Sequence, residues 1–557
     1  MSMSEERVRK KAGRILPVLI LIIAVLPAIF FMHMDSYRTG DEIISYGMAN
    51  EPEQGWMFSK GRIRSYVDSS ILQDGLTGLP GRLFSAVGDV IKNRGNAAFF
   101  RTERPSETGW YSGDGIRGYL WIRPGEAFRF GDIYLNAMGD DANSFLYYSC
   151  LHLVSSIFRG ISGTKWSGFL LNLICMAACL IILYRISGYF IGSRVGRMLL
   201  PFFYACSTGA IAMFTNIRPY ALAVVLQESL LLVHLHMLRD LDAEGPSVAG
   251  KRLKWLLLLY ILGYTAHYTT GIWAVCLAGY TICRSFHKKE FLRRYLLTGI
   301  LAVFLGICVD PMSVFGLFSK QGSSADAGLA AAFAELLKVL VHDVCGNVFF
   351  LLIPACFLFL ALLRFLKKKE RKADRNALLF AGLLLAYMFL STFLMHVVKV
   401  STMIPMLFLL LALPAVYALE DKVLWKRLLT ALLLVIWMAG SFAGLAEEKK
   451  NECMVNRTLE EKMAAYPADT MVFVRDHGSG YDKIPLLDPY AQVYLLTTDE
   501  GWEQHREELV NASLQSGLVL LDAGKETADT IASWLEEAGS EAEILYRDGQ
   551  CALLRTK

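Results

Sequence analysis

The stretch ILPVLILIIAVLPAIFF, residues 15–31, decides the fold class because it is a nearly unbroken apolar run. A membrane-spanning helix needs roughly 20 mostly apolar residues, and the chain holds about eleven candidate stretches of this kind, the last ending at residue 445. Of the 557 residues, 54% are hydrophobic and 19% are charged, and the mean hydropathy is +0.38. A soluble chain of this length would carry more charged surface. The sequence therefore predicts an α-helical polytopic membrane protein.

Basic clusters between the apolar runs predict the orientation. They lie at residues 7–14, 194–197, 251–254, 288–294, 367–375 and 422–427, and the positive-inside rule places them in the cytoplasm. No small-x-small cleavage site follows the first run, where His33-Met34-Asp35 stands, so we expect an uncleaved first span. We expect spans at 15–33, 166–186, 198–214, 219–238, 253–270, 271–284, 292–310, 344–366, 377–396, 402–419 and 428–445. This odd number of crossings places the tail outside. The net charge of +4 gives no indication of nucleic acid binding.

The remaining segments predict three regions: a cytoplasmic N-terminus at 1–14, a transmembrane domain at 15–445 with a large external loop at 34–143, and a tail at 446–557. Short β-like runs and one amphipathic helix in the tail favour a small extracytoplasmic α/β domain. In the external loop, GWYSGDGIRG at 109–118 is typical of a turn. The run at 145–158 is short for a crossing and begins with aromatic residues, so we expect a juxtamembrane or re-entrant helix on the outer side.

Several ionisable residues fall at the predicted outer ends of the spans. They are Asp35, Asp41, Glu42, Asp140, Asp141, Arg218, His267, Asp310, His396 and Lys399. One charge at a span end is usually a solvated anchor, but a charge at membrane depth costs roughly 2.5–3.5 kcal/mol and persists mainly where it pairs or functions. Acidic and basic groups gathered on one side therefore favour a polar cavity.

Such a cavity suits transfer from a lipid phosphate. A carboxylate can accept the proton of an attacking hydroxyl as general base. Arg and Lys can hold the phosphate and stabilise the charge that develops on the leaving group. A second carboxylate permits a divalent cation, Mg²⁺ or Mn²⁺, without requiring one.

The motifs around these residues resemble those of the GT-C superfamily of membrane glycosyltransferases, in particular the bacterial protein mannosyltransferase and aminoarabinose transferase type. Asp41-Glu42 in GDEIISYGMAN is similar to the Asp-Glu signature of their first external loop. Arg129-Phe130, then Asp141 to Tyr148 (DANSFLYY), NIRPYAL around Arg218 and AHYTT around His267 follow in the order seen in that family. The resemblance covers roughly residues 15–445 and departs from the family where Asn143-Ser144-Phe145 replaces His-Pro-Pro.

The resemblance implies a GT-C fold and assigns roles to individual residues. The resemblance implies that Asp41 is the catalytic base and that the adjacent Glu42 is a second catalytic residue. The implied substrate-binding residues are Arg129, Asp141, Tyr147, Arg218, Tyr220, His267 and Lys399. Asp41 and Asp141 are the residues available to a metal ion.

The leading hypothesis is a multi-pass enzyme of the bacterial plasma membrane. It would move a sugar from a polyprenyl-phosphate donor to a glycan, glycolipid or protein acceptor on the outer face. Two alternatives stay open: a transporter or flippase of lipid-linked intermediates, and a noncatalytic envelope-assembly protein derived from the enzyme. A transporter predicts charges spread across membrane depth and two related halves, whereas no internal repeat is evident in the sequence.

Overall fold

The computed structural model describes residues 22–34, 37–51, 108–139, 145–189, 191, 194–310, 423–466, 468–476, 480–498, 502–549 and 551–556, with isolated residues between 73 and 92 and between 334 and 391. The expected spans at 344–366, 377–396 and 402–419 fall outside the described residues, apart from those isolated positions. Asp35, Asp140, Asp141, His396 and Lys399 also lie outside them.

The described part of the chain is mainly helical. Its principal helices are α1 (Ile22–Met34), α2 (Gly40–Asn50), α3 (Gly113–Leu120), α4 (Phe130–Gly139), α5 (Phe145–Ile157), α6 (Lys165–Ser187), α7 (Arg194–Ala205), α8 (Thr208–Thr215), α9 (Tyr220–Ala243), α10 (Leu253–Ala266), α11 (Tyr268–Ser285), α12 (Lys289–Val309), α13 (Leu424–Ala464), α14 (Arg506–Ser516) and α15 (Lys525–Glu537). Of these, α6, α9 and α12 are long and apolar enough to cross a membrane.

The expected span at 198–214 is wrong as a single helix. The chain bends by 58° between α7 and α8, so the two helices form at most one broken span. The physical reason is Ser207, whose hydroxyl accepts the N–H of Ala210 at 3.3 Å and starts a new helix inside the apolar run.

A second break separates α10 from α11 and lies before the predicted boundary at residue 270. His267 is extended between the two helices, with φ −169°, and its Nδ1 accepts the N–H of Thr269 at 3.3 Å. His267 thus caps α11, which positions its imidazole at a helix junction.

Helix α13 runs for 41 residues without interruption, a length of about 60 Å. The predicted start of the tail at residue 446 therefore lies inside a helix, and the α/β part of the tail begins only after that helix ends.

The tail forms a sheet together with a strand from the first loop. The strands are β1 (Gly109–Ser112), β2 (Thr470–Arg475), β3 (Gln492–Thr497), β4 (Leu518–Asp522), β5 (Ala542–Asp548) and β6 (Cys551–Thr556), in the order β1-β3-β2-β4-β6-β5. Strands β3, β2 and β4 are parallel, whereas β1 pairs antiparallel with β3. The turn expected at 109–118 is thus wrong, because GWYS forms an edge strand and α3 follows at once.

The tail also packs against α2. A 3₁₀ segment at Tyr481–Leu487 lies on this helix, and a Cβ added at Gly40 would come 3.4 Å from the Cβ of Tyr481. One hydrophobic core contains Ile43 of α2 together with Phe473 and Ile484 of the tail. The start of α2 is therefore clamped between the helical bundle and the α/β unit.

A glycine substitution tests the packing of β1 and α3 on the tail. A Cβ at Gly113 would lie 2.1 Å from the carbonyl oxygen of Tyr490, and the Gly113 N–H donates to Ala491 at 2.7 Å. We expect Gly113→Ala to lower the free energy of unfolding by about 1–3 kcal/mol because backbone must move. Thermal unfolding in lipid nanodiscs measures the change. Gly131→Ala is the matched control, since a Cβ there meets nothing within 4 Å. Equal midpoints for the two variants would contradict the close packing of β1 and α3 on the tail.

Candidate active site

Asp41 and Arg218 meet at the start of α2. Thr39 caps this helix, so Asp41 lies in its first turn, while Arg218 lies in the short connection between α8 and α9. An Arg218 Nη1–H donates to the main-chain carbonyl of Asp41 at 3.1 Å, and Nη2 lies 3.5 Å from Asp41 Oδ2. The Asp41 side chain is 54% exposed and that of Arg218 is 12% exposed. A reachable carboxylate therefore has a largely buried guanidinium fixed beside it.

Glu42 points the other way, into the protein. Its Oε1 accepts the N–H of Ile217 at 2.9 Å, and its Oε2 accepts the N–H of Thr39 at 2.8 Å. The Lys165 ammonium lies 3.3 Å from Oε2, and both side chains are almost fully buried. The Thr39–Glu42 pair is a capping box. Glu42 thus joins α2, α6 and the Arg218 connection, and it faces away from the exposed carboxylate.

Asn172 fixes the backbone of the connection that carries Arg218. Its Nδ2 donates to the carbonyls of Phe214 at 3.1 Å and Asn216 at 2.7 Å. Its Oδ1 accepts the hydroxyl proton of Tyr147 at 3.2 Å. Tyr147 is fully buried, so this predicted substrate-binding residue lies in the interior and orients Asn172.

Tyr220 and His267 extend the polar region from Arg218. The Arg218 guanidinium carbon lies 6.0 Å from the centre of the Tyr220 ring. That ring packs edge-to-face against His267, with 5.4 Å between the ring centres. His267 Nδ1 is also 2.7 Å from the Thr269 hydroxyl. The predicted residues Asp41, Arg218, Tyr220 and His267 therefore form one continuous row.

Arg129 lies near the other end of α2. Its side chain pairs with Asp132 at 2.9 Å, and its main-chain N–H donates to His152 Nε2 at 3.1 Å. His152 Nδ1 is 2.6 Å from the carbonyl of Ala49, which lies eight residues and about 12 Å along the helix from Asp41. His152 was not among the predicted residues, and it joins the Arg129 segment to α2.

The described residues do not complete a metal site. Among them, no group of three or more His, Cys, Asp or Glu side chains is arranged to hold an ion. The Asp41 carboxylate has the Arg218 cation beside it, and the Glu42 carboxylate is bonded by Lys165 and two backbone N–H groups. The other residue assigned to a metal, Asp141, lies outside the described ranges, as does Lys399.

Polar side chains also lie deep in the helix bundle, which the sequence analysis missed. On α9, Glu228 accepts the thiol proton of Cys179 at 3.1 Å, and His234 lies 3.0 Å from the Tyr295 hydroxyl. Both residues are fully or almost fully buried. The expectation that polar groups gather on one side alone is therefore incomplete. A carboxyl group in an apolar run is itself the sequence signal for such a contact.

No family model matches this chain, and neither does any curated protein at a significant level. Solved structures do match. The structure of ArnT from Cupriavidus metallidurans bound to undecaprenyl phosphate superposes with a TM-score of 0.52 at 12% identity, over 98% of each chain. The archaeal oligosaccharyltransferase AglB from Archaeoglobus fulgidus, in complex with an inhibitory peptide and a dolichol-phosphate, matches at a TM-score of 0.40 and 11% identity, over 97% of this chain and 74% of AglB.

Because the sequence identity is low, the ArnT match shows the fold and gives no evidence of activity or substrate. The TM-score of the AglB match is too low to support any further conclusion. The chain therefore shares the fold of the ArnT structure, and the resemblance that its motifs indicated is confirmed at the level of the fold.

The buried Glu42–Lys165 pair is testable by stability. Glu42→Gln leaves the Lys165 ammonium buried without its counter-charge, which typically costs about 3–5 kcal/mol. We expect a clear fall in the thermal unfolding midpoint and partial recovery in Glu42→Gln/Lys165→Gln. The control is Glu290→Gln, which breaks an exposed pair with Arg294 worth about 0–1 kcal/mol. If the Glu42 variant were as stable as this control, Glu42 would not hold the site together.

Proposed function

We propose that this protein is a glycosyltransferase that moves a sugar from a polyprenyl-phosphate donor to an acceptor on the outer face of the bacterial plasma membrane. The acceptor is a glycan, glycolipid or protein of the cell envelope. The observation that carries the proposal is the exposed Asp41 carboxylate with the buried Arg218 guanidinium beside it.

Asp41 is the proposed general base. Its carboxylate takes the proton of the acceptor hydroxyl while that oxygen forms a bond to the anomeric carbon of the donor sugar. The bond from the anomeric carbon to the phosphate oxygen breaks, and its electron pair leaves with the polyprenyl phosphate. A single displacement of this kind inverts the anomeric centre.

Arg218 is the proposed phosphate ligand. It is held by Asp41 on one side, and its connection is fixed through Asn172 and Glu42, so it need not reorganise when charge develops on the phosphate. His267 follows in the same row, and Lys399 is assigned to this group by the family resemblance. We propose that Tyr147 and Glu42 orient the site and that Asp41 does the chemistry.

An apolar groove supports a lipid-linked donor. It has a volume of about 450 Å³ and lies between α10, α11 and α12. Its lining includes Tyr264, three residues before His267, and Gly271, four residues after it, so the groove begins within about one helical turn of the polar row. A Cβ at Gly271 or Gly299 would meet nothing within 4 Å, which leaves the groove open. We propose that the isoprenoid tail lies there.

The membrane topology belongs to the same proposal. The basic clusters predict that the loops carrying them are cytoplasmic, and the eleven or so predicted crossings would then put the site and the tail outside. A Mg²⁺ or Mn²⁺ ion would use Asp41 with Asp141. No step of the mechanism passes through a metal.

Removing the base tests the reaction. Asp41→Asn keeps the shape of the side chain but loses its proton affinity, so we expect sugar transfer to fall by about 10²–10⁴-fold. The assay follows release of polyprenyl phosphate from radiolabelled sugar-lipid donors by purified protein in nanodiscs, with an envelope extract as acceptor. Asp114→Asn, at an exposed carboxylate of α3, is the control and should retain full activity. Undiminished transfer by the Asp41 variant would overturn the base assignment, and no transfer by the wild type would favour the flippase or scaffold alternatives.

Removing the guanidinium tests donor binding. A hydrogen bond to a charged group contributes about 1.5–3 kcal/mol, so Arg218→Gln should weaken binding of undecaprenyl phosphate by roughly ten- to a hundredfold. The concentration dependence of thermal stabilisation by this lipid measures the affinity. Arg239→Gln is the control, since this arginine is exposed near the other end of α9. Equal affinities in the two variants would contradict a phosphate site at Arg218.

A further inference from the structure

A polar cavity, separate from the apolar groove, lies on the Lys165 side of Glu42. It has a volume of about 440 Å³, which is within the usual range for a small-molecule site. The end of α1, the residue after α3, the start of α6 and the tail all contribute to its wall. Its polar and aromatic lining comprises His33, Arg38, Trp121, Thr164, Lys165, Trp166 and Asp488. We call it the Arg38 pocket.

The charged groups of the Arg38 pocket are held in place. Arg38 donates to the carbonyl of Gly163, and its guanidinium carbon lies 5.3 Å from the centre of the Tyr46 ring. Lys165 donates to the carbonyl of Tyr37 at 3.1 Å in addition to its pair with Glu42. Asp488 accepts from Arg117 at 2.9 Å but keeps 41% of its side chain exposed. The pocket therefore presents preformed donors opposite an accessible carboxylate.

Tyr46 fixes the wall of the Arg38 pocket that the start of α6 forms. Its hydroxyl donates to the carbonyl of Thr164 at 2.7 Å and accepts the N–H of Gly168 at 3.0 Å. Burial raises the pKa of Tyr46 from its ordinary value near 10 to about 12. Tyr46 therefore connects α2 to the start of α6, which carries Thr164, Lys165 and Trp166.

The mixture of charges favours a neutral sugar over an anion. A phosphate or carboxylate in this pocket would share it with the Asp488 carboxylate, which repels an anion even though Arg117 pairs with it. A sugar hydroxyl both donates and accepts, so it can satisfy an Arg38 N–H and an Asp488 oxygen together. Two indoles supply the apolar surface that the C–H face of a sugar ring needs. Trp121 is packed on Gly163, where a Cβ would come within 2.3 Å of the indole, and Trp166 is 43% exposed.

The position of the pocket connects it to the reaction. Arg38 precedes Asp41 by three residues, and Lys165 bonds the carboxylate of Glu42, the residue after Asp41. The pocket is therefore connected through Lys165 and Glu42 to the first turn of α2, which carries the proposed base. Pro485 and Asp488 come from the tail, so the α/β unit supplies part of the pocket wall.

We propose that the Arg38 pocket binds an uncharged sugar residue of the acceptor, and that Asp488 of the tail takes part in selecting it. This inference rests on the proposed function, since it names the substrate class that the acceptor side of the same site takes. Saccharide binding can be measured without turnover, and the two proposals can therefore fail separately.

Saturation-transfer NMR on the full chain in nanodiscs provides the test. The probes are methyl α-D-glucopyranoside, methyl α-D-mannopyranoside and N-acetyl-D-glucosamine, with glucose 1-phosphate as the anionic comparison. We expect transfer to at least one neutral sugar and a roughly tenfold loss of its affinity in both Arg38→Gln and Asp488→Asn, because each removes a charge-assisted hydrogen bond. Asp529→Asn is the matched control: it removes another exposed carboxylate of the α/β unit that is paired with an arginine outside the pocket, and it should bind the sugar like the wild type.

Three results would overturn the inference: no transfer to any neutral probe, unchanged binding in Arg38→Gln, or tighter binding of glucose 1-phosphate than of every neutral sugar. The last would make the pocket an anion site. Sugar binding without any transferase activity would count against the proposed function alone, whereas failure of sugar binding with undecaprenyl phosphate binding intact would count against the pocket alone.

Discussion

The buried carboxylate of Glu42 is the interaction on which the site depends. It accepts the N–H groups of Thr39 and Ile217 and pairs with the Lys165 ammonium, so it joins three segments that are far apart in the sequence. Leaving any of these groups buried without a partner would cost free energy, and the three segments are therefore fixed together. One consequence is that Arg218 meets Asp41. The other is that the Arg38 pocket forms on the opposite side.

The tail is part of this arrangement, because it shares a sheet with the first loop and packs on the start of α2. Strand β1 extends the sheet beside β3, and the 3₁₀ segment at Tyr481–Leu487 lies against Gly40. A site built on elements that are packed from both sides needs little reorganisation when substrate binds. We therefore regard the α/β unit as a component of the site, and the proposed sugar pocket takes Asp488 from it.

The sequence predicts the exposed part of the site better than its buried supports. Asp41 and Arg218 stand at the ends of apolar runs, where a charged residue costs free energy and is therefore a recognisable signal in the sequence. The structure brings the two residues together. The bond from Glu42 back to Thr39 had a sequence signal, since Thr39-Gly-Asp-Glu42 has the spacing of a capping box. No pattern in the sequence indicated that Ile217 and Lys165 would be the other partners of Glu42. The break at Ser207 was hidden because the mean hydropathy of a span-length window is little changed by the two polar residues Ser207 and Thr208. The pairing of β1 with β3 joins residues more than 370 positions apart, which local patterns cannot reveal.

A structure of the protein in a nanodisc with undecaprenyl phosphate tests the central claim most directly. We expect a phosphate oxygen within hydrogen-bond distance of the Arg218 guanidinium, the isoprenoid chain between α10, α11 and α12, and the Asp41 carboxylate left open to an acceptor. A lipid phosphate bound elsewhere, with Arg218 still paired only to Asp41, would contradict it.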